Sequence, residues 1–301
     1  MQKNTLKKRF SIQKRMILIF GTLIVIALTL LAYFAARSAR LAVMEKVEAH
    51  LKDKAQDTAV ILEGDILQWF EYLDGIASQA DLQDKNISYY EKARILTELA
   101  NKDKDIVNFI IVDTNGIRYL PDGSTLDVSG LQWFKDSNRG EKRVCSAPFF
   151  SLQTGKLVLS IAVPIREHDG TVSAILAGIL DGLSLCDDVE PIRVGKTGGC
   201  YMTDKAGVTI GSRYRELVTN MYNPMEDAKT NKQHATVAAF VKKAVESNET
   251  EVGYYTFKGS KNIASAAVMQ TTGWNVFIEA PVKEFTGTVD SLRIGILIGH
   301  L

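Results

Sequence analysis

The residues that most often carry out catalysis are scattered along this chain, without the spacing that catalysis or metal binding requires. The four histidines are His50, His168, His234 and His300, and no two of them are four residues apart, as a metal-binding helical pair would be. The sequence has neither a G-x-S-x-G nucleophile motif nor a G-x-x-x-x-G-K-[ST] phosphate loop. We therefore expect no catalytic site, no metal and no cofactor, and the chain is not predicted to be an enzyme.

The three cysteines are Cys145, Cys186 and Cys200. An odd number of cysteines with no C-x-x-C spacing indicates neither a zinc site nor a disulfide framework. One disulfide bond is possible, and buried free thiols are the default expectation.

Composition limits the class of protein. The chain has 301 residues, of which 46% are hydrophobic and 24% charged, enough to form one large or two ordinary domains. The formal net charge is only +1, so the chain lacks the basic field that attracts proteins to nucleic acid. We expect no nucleic-acid partner.

An uncharged segment near the N-terminus, residues 16–36, has the length of a membrane span. At 1.5 Å per residue a helix of this length crosses a hydrocarbon core of about 30 Å. Residues 1–15 contain six basic residues and no acidic residue, so the N-terminus is predicted to be cytoplasmic and the chain after Arg37 external. A cleaved signal peptide is the alternative, but its apolar region is shorter and its cleavage site requires a small residue where Phe34 stands.

A second apolar run, residues 294–301, is too short to cross a bilayer. We expect it to begin a second transmembrane helix, whose remainder and cytoplasmic output domain lie outside this chain. The alternative is a C-terminal helix that packs its own apolar end.

Between these runs the hydrophobic pattern first predicts a long stalk helix. Apolar or small residues recur in steps of three and four between Leu41 and Ile76, and polar residues occupy the other face. Such a stripe packs on a neighbouring domain, on a second copy of the helix, or on both in turn. We expect a homodimer.

Strand patterns follow, and they occur twice. Residues 106–112 lead into the turn Asp113–Gly116 and a returning strand, and the same D-x-x-G turn recurs at Asp204–Gly207, 91 residues later. We predict two tandem antiparallel modules of α+β class, with a boundary near residues 187–196.

Several motifs in this order resemble the double Cache sensor domain of bacterial chemoreceptors and other membrane-bound signalling proteins. They are the membrane anchor with its long helix, QWFK at 132–135, SAPF at 146–149 followed by TGKLVLSIAVPI, and VGKTGGCY at 194–201. The resemblance covers residues 37–290. It implies two stacked PAS-like modules, of which the membrane-distal one usually holds the ligand.

The resemblance sets the expected domain boundaries. These are a cytoplasmic N-terminus (1–15), a transmembrane helix (16–36), a stalk helix (37–80), a membrane-distal module (81–188), a membrane-proximal module (189–283), and a returning helix with the start of a second transmembrane segment (284–301).

The resemblance also implies candidate ligand-binding residues, which are Trp133, Phe134, Phe149 and Asp181, and Tyr119 at the end of the first hairpin is a further candidate. In amino-acid-binding family members an arginine stands two positions before the tryptophan and an aspartate stands on the last strand of the distal module.

Here the arginine position is Leu131, and the aspartate falls at Leu180 or Asp181. Because the carboxylate clamp is lost, we expect an amine or a small neutral molecule rather than a standard amino acid. Arg118, Arg139 and Arg143 are expected to be solvated.

These inferences predict the extracytoplasmic sensor of a chemoreceptor in the cell membrane, with a small-molecule ligand and contact with the lipid bilayer. Two alternatives of the same class are the sensor of a membrane-bound nucleotide cyclase or of a histidine kinase. A membrane-anchored exported enzyme or an adhesion module are alternatives of another class.

Overall fold

A computed structural model describes residues 12–140, 142–167 and 169–287. The described chain divides into two compact units, residues 50–281 and a smaller unit formed by residues 12–49 and 282–287. The long helix α1 (Ile12–Ala77) begins in the smaller unit. Among the described residues, α1 is the helix that is long and apolar enough to cross a membrane. Residues 1–11 of the predicted basic segment and the predicted second membrane segment at residues 294–301 lie outside the described residues.

The first sheet of the larger unit has seven strands, all in antiparallel pairs. The strands are β1 (Asn108–Asp113), β2 (Ile117–Tyr119), β3 (Thr125–Asp127), β4 (Val144–Cys145), β5 (Phe149–Phe150), β6 (Leu157–Arg166) and β7 (Val172–Asp181). The helices of this part are α2 (Ala80–Gln83), α3 (Tyr89–Ala100) and α4 (Gln132–Gly140).

The second sheet has six strands, again antiparallel. These strands are β8 (Arg193–Val194), β9 (Gly198–Thr203), β10 (Thr209–Ser212), β11 (Glu251–Phe257), β12 (Ser260–Val268) and β13 (Asn275–Pro281). Its helices are α5 (Ser184–Val189), α6 (Arg215–Thr219), α7 (Pro224–Asp227) and α8 (Ala235–Glu246), with a 3-10 turn at Lys232–His234.

Both sheets have the same strand order. Apart from the edge strand β3, the first sheet has the order β2-β1-β7-β6-β4, and the second has the order β10-β9-β13-β12-β11. In each, the hairpin that opens the module pairs with the strand that closes it. The predicted α+β class with two antiparallel-sheet modules is confirmed.

The two D-x-x-G turns explain why each module opens with a hairpin. The Asp113 Oδ1 atom accepts hydrogen bonds from the backbone N–H groups of Asn115 and Ile117, both at 2.9 Å. The Asp204 Oδ1 atom accepts the equivalent bonds from Ala206 and Val208, at 2.9 and 2.8 Å. Each turn is therefore stabilised by its own aspartate.

Within residues 50–281, the apolar stripe of α1 packs on the chain's own sheets. Leu51, Leu62 and Leu73 are all at most 4% exposed, and the Leu73 side chain lies beside Gly178 of β7. The opposite face leaves Val60 and Ile61 more than 60% exposed. The sequence left open whether the stripe packs on a neighbouring domain, on a second copy of the helix, or on both. In this segment it packs on the chain's own domain.

Two local features were not predicted. Pro281 is the last residue of β13, and helical residues begin at Val282. The QWFK motif forms the start of helix α4, which the strand-dominated pattern of this region did not predict. The three cysteines are free thiols, with Cys186 and Cys200 buried and Cys145 half-buried.

Candidate functional site

A cavity of about 290 Å³ lies against the first sheet, and we call it the first pocket. Strands β1, β2, β6 and β7 form its floor, and helix α4 and the loop after β5 complete it. Its polar lining residues are Asn108, Arg118, Trp133, Ser151, Gln153 and Thr154; its apolar ones are Val107, Ile110, Leu126, Val128, Leu131, Phe149, Leu152, Val158 and Ile179. None of these described lining residues is acidic.

Two unpaired N–H donors line the first pocket. The Arg118 Nε atom and the Trp133 Nε1 atom are both buried and have no hydrogen-bond partner among the described residues. Arg118 is only 9% exposed, and this burial lowers the pKa of its guanidinium. Buried donors are rarely left unpaired, because their desolvation costs about 1–3 kcal/mol each. Because both donors lie beside a cavity, a ligand with acceptor oxygens could form hydrogen bonds with them there.

The register of β2 explains why Arg118 points into the module. Arg118 lies opposite Val112 of β1 and Leu126 of β3, so the three side chains share one face of the sheet. Val112 belongs to the core cluster that also contains Trp133. Arg118 is thus held by strand pairing on the apolar face, where a solvated arginine was expected; that expectation was wrong.

A close backbone contact joins the turn before β2 to the segment that precedes helix α4. Gly116 has φ of +89°, and a Cβ at this position would lie 2.5 Å from the Ser129 Cβ atom. The Gly116 carbonyl accepts a 2.9 Å hydrogen bond from the Val128 N–H group. Glycine at this turn lets the segment that precedes α4 approach the hairpin, and this places Trp133 beside β2.

The five predicted site residues do not all meet in this pocket. Trp133 and Phe149 line it. Phe134 packs in the core cluster, edge-on to Trp133 at 6.2 Å between ring centroids. The Tyr119 hydroxyl donates to the Asp113 carboxylate at 3.2 Å, and its ring stacks on another tyrosine. Asp181 accepts a 2.7 Å bond from the Leu183 N–H group in the turn after β7.

Asp181 instead lines an open groove of about 840 Å³ that runs between α1 and both sheets. Five other aspartates line this groove, namely Asp65, Asp103, Asp105, Asp187 and Asp188. Desolvation, together with the carboxylates of Asp65 and Asp187, raises the pKa of Asp188 to about 6. Within the part of the chain that the structure describes, no group of three His, Cys, Asp or Glu residues has metal-binding geometry.

Comparison with known proteins places the fold in a family. The profile of the Cache domain matches residues 39–289. The chain belongs to the Cache domain family, and the resemblance to the double Cache domain is confirmed.

A curated relative is the methyl-accepting chemotaxis protein TlpA of Bacillus subtilis (strain 168), which is 25% identical over 285 residues. The match covers 89% of this chain and 38% of the length of that protein, so this chain spans less than half of its relative.

Solved structures with the same fold include ligand-binding domains of chemoreceptors. That of Pseudomonas fluorescens CtaA in complex with L-isoleucine has a TM-score of 0.64 at 15% identity, covering 83% of this chain and 98% of that chain. That of Pseudomonas aeruginosa PAO1 PctC in complex with GABA has a TM-score of 0.57 at 18% identity, covering 77% and 99%. The chain is a Cache domain and shares the fold of these ligand-binding domains.

Proposed function

We propose that this chain is the extracytoplasmic sensor of a membrane-anchored chemoreceptor, acting by ligand binding and not by catalysis. Residues 81–188 would form the membrane-distal module and residues 189–283 the membrane-proximal one. The family match and the chemotaxis relative support the receptor role. A chemotactic output is favoured over a cyclase or kinase output because the curated relative is a chemotaxis protein.

The ligand that best fits the first pocket is a small carboxylate with an apolar body. The observation that carries this proposal is the pair of unpaired donors, Arg118 and Trp133, in a cavity whose described lining contains no acidic residue. An anion would satisfy both donors and neutralise the guanidinium. An ammonium group would find no carboxylate there. We therefore propose an acid in place of the amine or small neutral molecule that the sequence predicted.

A matched four-carbon pair tests this ligand class. Butyrate and butyramide share one carbon skeleton and differ only in the charge of the terminal group. Titration calorimetry on the purified full chain should give an affinity for butyrate at least about tenfold higher than for the neutral amide. Butyrate affinity no higher than butyramide affinity would contradict the proposal.

Membrane anchoring is supported by the exposed apolar first half of α1. Residues 16–31 of this helix are exposed in the structure, and so large an apolar surface favours a lipid environment. Reporter fusions should place residue 10 in the cytoplasm and residues after Arg37 outside the cell. Accumulation of a soluble exported form lacking residues 1–36 would show a cleaved signal peptide instead.

The proposed homodimer would use the face of α1 that the sheets leave free. Val60, Ile61 and Leu67 are 69%, 64% and 43% exposed, and Val60 and Leu67, seven residues apart, lie on one stripe of the helix. Cysteine at Val60 should crosslink two copies in membranes. Cysteine at Leu51, which is fully buried within its own chain, is the matched control and should not. Equal crosslinking at both positions would rule out this face.

A further inference from the structure

A second, smaller cavity lies against the second sheet, and we call it the second pocket. Its volume is about 40 Å³, and strands β9–β11 and β13 together with the segment around α6–α8 enclose it. Its polar lining is dominated by one acid, one base and four tyrosines, which are Tyr201, Arg213, Tyr214, Tyr222, Tyr255 and Glu279. It occupies the helix-covered face of the second sheet.

Glu279 supplies a buried carboxylate to this pocket. The Tyr255 hydroxyl donates to its Oε2 atom, and the Asn262 Nδ2 group donates to the same oxygen at 3.2 Å. The Tyr201 hydroxyl lies 3.4 Å from that of Tyr255. Both described hydrogen bonds to the carboxylate therefore end on one oxygen. The other carboxylate oxygen, Oε1, has no described donor.

The wall beside Glu279 is open because it carries no side chain. Gly199 lies directly opposite Glu279 in the antiparallel pair of β9 and β13, so a side chain there would share the face of Glu279. A Cβ at Gly199 would lie 3.5 Å from the Arg213 Nη1 atom. Arg213 itself donates to the Thr197 carbonyl at 2.7 Å and lies over the Tyr214 ring. The carboxylate thus lies inside the pocket, with the guanidinium on the adjoining wall.

We propose that the second pocket binds the primary ammonium group of a small amine, with Glu279 as its counter-ion and the Tyr201 and Tyr255 rings around it. An ammonium group brings three N–H donors, enough to reach the free oxygen of Glu279 and the tyrosine hydroxyls. At about 10–15 Å³ for each water-sized group, the cavity holds about three such groups. That is the size of methylamine or ethylamine, or of the ammonium end of a longer ligand.

The electrostatics of Glu279 agree with this assignment. Burial raises the pKa of its carboxyl group, although the Tyr255 and Asn262 hydrogen bonds and the Arg213 charge partly oppose the rise. Burial disfavours the ionised form of Glu279, and a bound cation would restore it. The site is independent of the first pocket, because the two cavities share no lining residue.

Two sources of the ammonium group fit this chemistry. A free amine would use Glu279 alone, whereas a small amino acid would add a contact between its carboxylate and Arg213. Glycine and ethylamine distinguish the two sources. Displacement of ethylamine by glycine that is lost in Arg213→Gln indicates a zwitterion, and the lack of displacement indicates a free amine.

Ethylamine binding to the purified full chain, measured by titration calorimetry in detergent, is the direct test. Ethanol, a neutral molecule of the same size, is the matched probe. The variant Glu279→Gln removes only the charge, and Glu226→Gln makes the same change at an exposed carboxylate that pairs with Lys229 outside the pocket. We expect saturable binding of ethylamine but not of ethanol, and a loss of at least about tenfold in affinity in Glu279→Gln alone.

A size test guards against a variant that fails to fold. Gly199→Ala has ordinary van der Waals space for its Cβ atom, with the nearest atoms at 3.4 and 3.5 Å, so the fold should persist while the cavity shrinks. Ethylamine affinity should fall more than methylamine affinity. Failure of ethylamine to bind saturably, or binding that is unchanged by both Glu279→Gln and Gly199→Ala, would overturn the proposal.

Discussion

The two sheets share one strand order, yet their pockets carry opposite charges. In the first pocket the buried charge is the guanidinium of Arg118, which lies beside the unpaired indole N–H of Trp133. In the second pocket it is the carboxylate of Glu279, held by Tyr255 and Asn262. The fold fixes where a cavity can form, between the sheet and its covering helices. Single residues on different strands, β2 in one module and β13 in the other, then determine the charge of the ligand that we propose for each pocket.

The largest effect that we expect is on the free energy of unfolding. It should differ between a residue of the first pocket that is also part of the core and a residue of the second pocket that is not. Trp133 is 4% exposed within the core cluster of the first sheet, so Trp133→Ala should lower the free energy of unfolding by about 3–5 kcal/mol. Tyr214 lines the second pocket but is 36% exposed. Tyr214→Ala should cost less than about 1 kcal/mol, as measured by denaturant unfolding. Equal losses of stability in the two variants would mean that Trp133 lines the first pocket without contributing to the hydrophobic core.

A smaller difference should appear between the equivalent glycines of the two D-x-x-G turns. Gly116 and Gly207 both have positive φ, so alanine costs about 1–2 kcal/mol at either position. At Gly116 the new Cβ would also collide with the Ser129 backbone, whereas at Gly207 it would meet the flexible end of Met225. Gly116→Ala should therefore be the more destabilising in thermal unfolding.

Gly123 is the control for that comparison, because it also has positive φ but has open space around its Cβ position. Gly123→Ala should show only the conformational cost of about 1–2 kcal/mol. If Gly116→Ala costs no more than Gly123→Ala, the close approach of the hairpin to the segment before α4 is not rigid.

Removing the buried charge of the first pocket should raise the free energy of unfolding, whereas the substitutions above lower it. No hydrogen bond or ion pair links Arg118 to another described residue, and burial lowers the pKa of its guanidinium. Arg118→Met keeps most of the side-chain volume without the charge, so the ligand-free protein should become more stable by about 1 kcal/mol. Loss of stability in this variant, measured by urea unfolding, would mean that the guanidinium is better solvated than the structure shows.

The smallest expected effect is in the acidic groove. The pKa of Asp188 is raised to about 6 in the folded state, above the ordinary aspartate value of about 3.9. The folded state therefore binds this proton more tightly, and stability should increase as the pH falls from about 6 to about 4. Since the side chain is partly solvated, we expect less than about 1 kcal/mol.

Asp188→Asn should remove this pH dependence and raise the melting temperature slightly at pH 7, with no change near pH 4. A variant whose stability follows pH in the same way as the wild type would assign the effect to another carboxylate of the groove.

Most of the fold could be predicted from the sequence because it rests on local patterns. The D-x-x-G turns, the strand runs and the stripe of α1 each have a short-range signal, and they recur in the structure at nearly the same residues. The start of α4 at Gln132 had no such signal, because its aromatic residues Trp133 and Phe134 are typical of strands as well.

The charge of the first pocket could not be predicted in the same way. Arg118 lies in a three-residue strand whose two neighbours, Ile117 and Tyr119, are apolar, so the alternation alone makes the arginine face solvent. Its burial follows from pairing with Val112 and Leu126, which is a property of the register. If the register had been known from the sequence, the apolar run that contains Val112 would have shown that Arg118 lies on the buried face of the sheet.

The most direct test of the central claim is butyrate binding to the full chain with and without the Arg118 charge. Titration calorimetry should show saturable binding to the wild type, and Arg118→Met should weaken it by about 10- to 100-fold, as expected for the loss of a charge-assisted hydrogen bond. Ethylamine binding should not change in this variant. Butyrate affinity that is the same in Arg118→Met as in the wild type would contradict the account.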